Sequence, residues 1–191
     1  MRFLYEERSE HIEQPFSGRV FNVEVHAVTL PDGRMSRREI VRHNGGACVL
    51  PLDKDLNVTL VRQYRKAFDR EMLEIPAGKL EPGEDPLTCA RRELAEETGL
   101  TARQFLLLTV FYPSPGYCSE VLSVYLATGL TKGKANPDEG EFLACQTYPL
   151  DTLLDLVDQG KIQDGKTLIA LLMTSRRIMQ EPDLLEAVRE G

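Results

Sequence analysis

Alternation of apolar and polar residues near the start of the chain has the period of two that is typical of a half-buried strand. Every second residue is apolar in residues 21–27, and residues 37–43 are expected to return as a second strand. The turn signal Pro31-Asp32-Gly33 lies between them and predicts an antiparallel hairpin. Because two strands are marginal alone, this hairpin must pack on the main body or on a partner chain. Residues 1–18 give no firm assignment.

The rest of the chain predicts further strands and three helices. The strands are expected over residues 47–52, 57–64, 71–75, 105–112, 121–128 and 142–148, with polar loops over 77–84 and 131–141. The first helix has Asp85 as its N-cap, Pro86 at its first position and Gly99 just past its end. Two more helices, over residues 150–159 and 166–180, complete the chain. This order predicts an α+β or α/β sandwich with a mixed sheet, in which residues 1–45 form an N-terminal β region and residues 46–191 the main domain.

Composition narrows the class of protein. A net charge of −7 and a pI of about 5.1 argue against the broad basic surface that a nucleic-acid partner needs. The four cysteines show no paired spacing, which fits free thiols in a reducing cytosol better than disulfides or a zinc site. No apolar run approaches the ~18 residues that span a membrane. We therefore expect a cytoplasmic protein of ordinary domain size with no membrane partner.

Three glutamates of the first predicted helix carry the chemistry. On a helix, Glu93, Glu96 and Glu97 fall within an arc of about 100°, beside the apolar stripe that contains Leu94. Like charges at this spacing repel, so a cation is expected among them. Carboxylates are the hard ligands that Mg²⁺ and Mn²⁺ prefer, although a solvated acidic face is the simpler alternative.

The spacing around these glutamates resembles the signature of the Nudix hydrolase superfamily. The pattern GX5EX7REUXEEXGU is matched at every position, over about an eighth of the chain, by Gly78, Glu84, Arg92, Glu93, Leu94, Glu96, Glu97, Gly99 and Leu100. The resemblance implies an α+β fold of the Nudix type, an α/β/α sandwich with a mixed β-sheet, preceded here by the small antiparallel β region.

The same resemblance implies a metal site. Glu93 and Glu97 would be the principal ligands, with Glu96 bridging ions and the Ala77 carbonyl contributing. Mg²⁺ is the expected cofactor, and Mn²⁺ can substitute. Arg92 lies one turn before Glu96 and can orient it. Glu84 and Arg92 would tie the preceding loop to the helix.

Substrate residues are implied by a second, shorter resemblance. Pro115, Gly116 and Glu120 lie in a segment similar to the SPGxxxE element of the ADP-ribose pyrophosphatase branch, although many relatives carry an acidic residue where Ser119 stands. Arg65 would then contact the diphosphate, while Glu74 and Glu120 would meet ribose or a water. A surface arginine and an ordinary Pro-Gly turn are the structural alternatives.

The general base and the partner chain also follow only from the resemblance. Glu139 and Glu141 lie in the acidic loop that supplies the base in this branch, and the sequence does not separate them. A homodimer is implied, with the N-terminal hairpin reaching into the partner's nucleoside pocket. Phe16, Phe21 or Tyr5 would then stack on adenine.

The resulting prediction is Mg²⁺-dependent hydrolysis of ADP-ribose to AMP and ribose 5-phosphate. The nearest alternative is the same chemistry on another nucleoside diphosphate sugar such as GDP-mannose, because the glutamate helix does not read the base. A non-catalytic nucleotide-binding protein on the same fold is a further alternative. Three repelling carboxylates, which a pure binder does not need, argue against it.

Overall fold

A computed structural model describes residues 3–136 and 142–190. The chain divides into two compact units, one formed by Met1–Gly45 with Tyr112–Val121 and the other by Gly46–Phe111 with Leu122–Gly191. The strands in the described ranges are β1 (Arg8–Ser17), β2 (Asn22–Thr29), β3 (Met35–Arg42), β4 (Gly46–Pro51), β5 (Asn57–Arg65), β6 (Arg70–Glu74), β7 (Ala77–Lys79), β8 (Leu100–Phe111), β9 (Leu122–Lys132) and β10 (Ala144–Pro149). The α-helices there are α1 (Pro86–Thr98), α2 (Leu150–Asp158), α3 (Gly165–Gln180) and α4 (Pro182–Glu190), and a 3₁₀ turn covers Lys66–Phe68.

The first unit is an antiparallel sheet with the order β1-β2-β3. The predicted hairpin corresponds to β2 and β3, and β1 adds a third strand that the sequence did not predict. Every residue of β1 is exposed, so the strand lacks the apolar alternation that burial imposes and is recognised only by its backbone pairing. The tip of the 112–121 segment joins β3, because the Val41 N–H donates to the Tyr117 carbonyl and the Ser119 N–H donates to the Val41 carbonyl.

The second unit contains two sheets. A mixed sheet has the order β7-β4-β9-β8, in which β4 and β9 are parallel and the other pairs are antiparallel. A second, antiparallel sheet has the order β10-β5-β6. All six residues of β4 are buried, which is why it reads as a continuous apolar run.

Alternate residues of β4 belong to two separate hydrophobic clusters. Cys48 and Leu50 pack in a cluster with residues of α2, α3 and α4, whereas Ala47 and Val49 pack with residues of α1. Since successive side chains of a strand point to opposite faces, α1 covers one face of the mixed sheet and the C-terminal helices cover the other. The unit is therefore an α/β/α sandwich, and each fully buried leucine contributes roughly 1.5–3 kcal/mol.

Several element boundaries differ from the prediction. Residues 77–79 form β7 within the predicted loop, because their backbone pairs with β4 although only three residues take part. β8 begins at Leu100 directly after α1, and β9 continues to Lys132 through residues whose polarity predicted a loop. A fourth helix, Pro182–Glu190, follows the two C-terminal helices that were predicted. No helix in residues 3–136 or 142–190 combines the length and apolar character needed to cross a membrane.

Candidate active site

Helix α1 has the boundaries that its capping residues predict. The Asp85 carboxylate accepts hydrogen bonds from the Leu87 and Thr88 N–H groups at 3.0 and 3.1 Å, and Pro86 occupies the first position. Gly99 ends the helix with φ of 71°, in the left-handed region that glycine adopts without strain. These local interactions fix the two ends of the helix, and the packing of Ala90 and Leu94 sets which face lies on β4.

Two of the three glutamates are buried by this packing. Leu94 and Ala90 pack against β4, and the side chains beside them become enclosed at the edge of the core. Glu93 is 9% exposed and Glu97 is 5% exposed, while Glu96 stays half-buried. Two adjacent buried carboxylates are costly unless cations or N–H groups satisfy them, so the surrounding donors decide what this site can do.

Arg92 supplies a cation among the carboxylates. Its Nη1 donates to Glu93 Oε1 at 2.6 Å and to Glu96 Oε2 at 3.0 Å, and its Nε and Nη2 hold both oxygens of Glu84 at 3.0 and 3.1 Å. This hydrogen bonding lowers the pKa of Glu84. The repulsion that suggested a bound cation is therefore partly relieved by the protein itself, and Arg92 links the loop at Glu84 to the helix.

A glycine makes room for the Glu93 carboxylate. A Cβ on Gly78 would lie 1.6 Å from Glu93 Oε1, so the carboxylate occupies the space that any other side chain would fill. On the same β7 strand, the Ala77 N–H donates to Glu97 Oε2 at 3.2 Å. Both buried carboxylates are thus pressed against the backbone of residues 77–78.

The oxygen atoms of Glu93 and Glu97 are of the chemical type that binds a divalent metal. Carboxylate and carbonyl oxygens are the ligands of Mg²⁺, which keeps several waters and is held in proteins by only one or two carboxylates. In the described ranges no three or more acidic, histidine or cysteine side chains are grouped so that they could hold a metal ion. A magnesium ion held here would therefore need water and substrate to complete its coordination.

Arg65 and Glu74 contact each other. Arg65 Nε and Nη2 donate to the two oxygens of Glu74, both at 2.7 Å, and Lys166 Nζ also donates to this carboxylate. Glu74 is 1% exposed, so its placement favours holding Arg65 over contacting ribose. Lys166 was not predicted as a site residue. Its position next to Asp164, which caps the start of α3, was the available signal.

Pro115, Gly116 and Glu120 belong to the first unit. The turn is closed by the Tyr117 and Cys118 N–H groups, which donate to the Ser114 carbonyl at 3.2 and 2.9 Å. Glu120 Oε1 lies 3.5 Å from His43 Nδ1, a contact that sequence reasoning also missed. The Ser119 hydroxyl accepts from the His43 N–H at 3.1 Å, which gives this departure from the family pattern a structural role.

The aromatic candidates are also in the first unit. The rings of Phe16 and Phe21 lie 5.5 Å apart at 39°, and both side chains are exposed, as is Tyr5. The predicted general bases, Glu139 and Glu141, fall outside the residues that the structure describes.

Comparison with known proteins identifies the class. A model of the Nudix domain matches residues 42–171, which is more than half of the chain. The chain therefore belongs to the Nudix hydrolase family, as the glutamate helix predicted. A crystal structure of an ADP compounds hydrolase superposes with a TM-score of 0.84 at 23% identity, covering 95% of this chain and 98% of that one. The predicted Nudix-type sandwich is thereby confirmed.

Individual relatives differ in what their names state. The chain is 44% identical over 170 residues to a methanol dehydrogenase activator of Bacillus methanolicus, covering 88% of this chain and 92% of the relative. It is 43% identical over 168 residues to an ADP-ribose pyrophosphatase of Bacillus subtilis (strain 168), covering 87% and 91%. A GDP-mannose pyrophosphatase of Enterobacter sp. (strain 638) is 32% identical over 145 residues, covering 71% and 75%. Nudix ADP-ribose pyrophosphatases generally need a divalent metal.

Proposed function

We propose that this protein hydrolyses the pyrophosphate bond of ADP-ribose to AMP and ribose 5-phosphate. The observation that carries the reaction class is the buried pair Glu93 and Glu97, held against the backbone of residues 77–78 where only glycine leaves room. The substrate is supported by the ADP-ribose pyrophosphatase that is 43% identical over nearly the whole chain.

Glu93, Glu97 and the Ala77 carbonyl would hold Mg²⁺, or Mn²⁺ in its place, and Glu96 would be a further ligand. When bound, such an ion screens the diphosphate and lowers the pKa of a coordinated water. Arg92 orients Glu93 and Glu96 through Nη1, so their oxygens keep fixed positions.

The remaining roles belong to the substrate and the attacking water. Arg65 contacts the diphosphate and stabilises charge that develops on its oxygens. The substrate is also contacted by Pro115, Gly116 and Glu120. Glu139 or Glu141 takes the proton of the attacking water.

The same proposal extends to assembly and location. Residues 1–45 contribute to a homodimer, and residues 46–191 form the hydrolase domain. The support is the fully exposed β1 strand and the exposed Phe16–Phe21 ring pair, which a partner chain would cover. A nucleotide sugar is the small-molecule partner, the net charge of −7 argues against a nucleic-acid partner, and the four free cysteines support a reducing cytoplasm. A light-scattering mass decides the dimer, and a monomer would refute it.

The test is a substrate panel with Mg²⁺. ADP-ribose, other ADP-sugars, GDP-mannose and dinucleotides are incubated with the protein, and the products are separated by chromatography. We expect AMP and ribose 5-phosphate from ADP-ribose, and loss of this activity in Glu97→Gln, which keeps the fold because the amide preserves the shape of the side chain. Absence of turnover on every substrate would overturn the proposal, and full activity of Glu97→Gln would show that the metal site is misplaced.

Two relatives favour other candidates that the same protein can be tested for. The GDP-mannose pyrophosphatase relative keeps GDP-mannose as the alternative substrate. A kcat/KM that is higher on GDP-mannose than on ADP-ribose would replace the proposed substrate by GDP-mannose. The activator relative favours stimulation of a partner dehydrogenase. Adding the protein to a methanol dehydrogenase assay, with Glu97→Gln in parallel, separates stimulation that needs hydrolysis from stimulation that does not.

A further inference from the structure

A partly buried cluster of four charged side chains includes Arg65, the candidate for contacting the diphosphate. Arg65 ends β5 and Glu74 ends β6, while Asp164 and Lys166 flank the first residue of α3. The two cations and two carboxylates balance, so the cluster carries no net charge. Such a neutral, mutually hydrogen-bonded group can be buried without leaving an uncompensated charge.

The Glu74 carboxylate is at the centre of the cluster. Its oxygens accept from Arg65 Nε and Nη2 at 2.7 Å and from Lys166 Nζ, and Lys166 Nζ also donates to Asp164 Oδ1 at 2.9 Å. The Lys166 side chain is only 11% exposed, whereas that of Arg65 is 40% exposed. The bidentate pair uses two nitrogens of Arg65 and leaves the Nη1 amino group outside it, on the more exposed of the two cations.

Helix α3 is also attached to the residue that follows β6 by a hydrogen bond from the backbone. The Thr167 hydroxyl accepts from the Ile75 N–H at 2.9 Å and donates to Asp164 Oδ2 at 2.6 Å. Two residues further, the Ala77 N–H donates to Glu97 Oε2 at 3.2 Å. The backbone from Glu74 to Ala77 is thus held by α3 at one end and by the glutamate helix at the other.

We propose that Lys166 is a positioning residue for the pyrophosphatase reaction: it holds the buried Glu74 carboxylate, which fixes Arg65 with Nη1 directed to the diphosphate. This proposal rests on the proposed function, which assigns the diphosphate to Arg65. The Glu74 carboxylate, which accepts hydrogen bonds from Arg65, raises the pKa of the Arg65 guanidinium, and the charge of Glu97 on the glutamate helix makes a smaller contribution in the same direction. Lys166 itself is too enclosed to meet substrate.

Lys166→Met tests the proposal, because methionine keeps most of the unbranched side chain and removes the charge. We expect the KM for ADP-ribose to rise about tenfold, which is the smaller of the losses that follow removal of a residue that orients a binding group. The change in kcat should be much smaller. Lys166→Arg, which keeps the charge, should recover part of the loss. The matched control is Lys161→Met, an exposed lysine before α3, which should leave KM and kcat unchanged. Lower thermal stability with an unchanged KM would show a merely structural role and overturn the proposal.

A double-mutant cycle keeps the test decisive if Lys166→Met alone folds poorly. Glu74→Gln with Lys166→Met removes two opposite charges together, which buried pairs tolerate better than loss of one partner. If Lys166 acts through Glu74, adding Lys166→Met to Glu74→Gln raises KM no further than Glu74→Gln alone. Independent, multiplying effects would contradict the proposed route.

A measurement without turnover separates this inference from the proposed function. With ¹⁵N-arginine labelling, the Nε–H signal of Arg65, assigned by its loss in Arg65→Lys, should become more mobile in Lys166→Met and not in Lys161→Met. An unchanged signal overturns the positioning role even where ADP-ribose is hydrolysed. Failure of the wild type to hydrolyse ADP-ribose refutes the proposed function and with it the reaction that Lys166 would serve.

Discussion

Gly78→Ala is the sharpest perturbation of the site, because it adds one methyl group at the closest approach of strand and helix. The φ of Gly78 lies outside the left-handed region, so alanine suits the backbone and only space is at issue. The new Cβ would lie 1.6 Å from Glu93 Oε1, 2.0 Å from its Cδ and 2.7 Å from its Oε2. The carboxylate has to leave its position.

The size of this displacement predicts the loss of activity. Ordinary contact needs about 3.5 Å between heavy atoms, so the carboxylate must retreat by roughly 1.5–2 Å. A misplacement of about 1 Å can cost about 100-fold in rate, or about 2.7 kcal/mol of activation free energy. Because the displaced atoms end a flexible side chain, the free energy of unfolding should fall by only about 1–3 kcal/mol, the usual cost of overpacking.

Steady-state kinetics measures kcat/KM, electron paramagnetic resonance measures the affinity for Mn²⁺, and urea denaturation measures the free energy of unfolding. We expect kcat/KM on ADP-ribose to fall at least about 100-fold, with weakened Mn²⁺ binding and a folded protein. Gly165→Ala is the matched control, since a Cβ there meets no atom within 4 Å, and it should keep full activity. Full activity and metal affinity in Gly78→Ala would refute the assignment of Glu93 as a ligand.

Two further predictions concern titration and thiol reactivity. Burial alone would raise the pKa of Glu74, but Arg65 and Lys166 outweigh it and lower this pKa below 4.5, so the stability that it contributes is present above about pH 4.5 and lost as the pH falls. The pKa of Lys166 is raised above 10.5, because Asp164 and Glu74 outweigh the effect of burial, and its contribution is lost only as the pH rises past that value. Between these two pH values, urea denaturation should show that Glu74→Gln is less stable than the wild type by about 3–5 kcal/mol. This difference should shrink in acid, and a difference that stays constant with pH would contradict the ion pairs of Glu74. Burial, helped by the Glu84 charge, raises the pKa of the Cys89 thiol to about 12. Partial burial of its sulfur also raises the pKa of Cys145, but this residue is accessible, so a thiol reagent at pH 8 should label Cys145 first and spare Cys89 until the protein unfolds. Peptide mass spectrometry can check this order, and early labelling of Cys89 would contradict the packing of α1 on β4.

Strand β1 shows where sequence patterns fail. It is exposed throughout and carries no alternation, so only its backbone hydrogen bonds to β2 define it. The three-residue β7 strand was equally invisible, because its pairing with β4 depends on where the two segments meet. Patterns report burial, and these strands are defined by pairing instead.

The sequence by itself determined the glutamate helix and the family. Asp85, Pro86 and Gly99 act within a few residues of the helix ends, so their effect is local and readable. The family pattern from Gly78 to Leu100 consists of residue types at fixed positions in the sequence, so it can be read without the structure. Only the tertiary structure decided what surrounds the carboxylates.

Arg92 supplies part of the positive charge that the sequence predicted among the glutamates, and its reach to Glu84 depends on how the loop folds back. Gly78 is needed because β7 crosses beside Glu93, a contact that no periodicity reports. Lys166 meets Glu74 across 92 positions of the chain, through a helix and a strand that pack only in the folded sandwich. Chain topology brings such distant charges together, and local propensity contains no record of it.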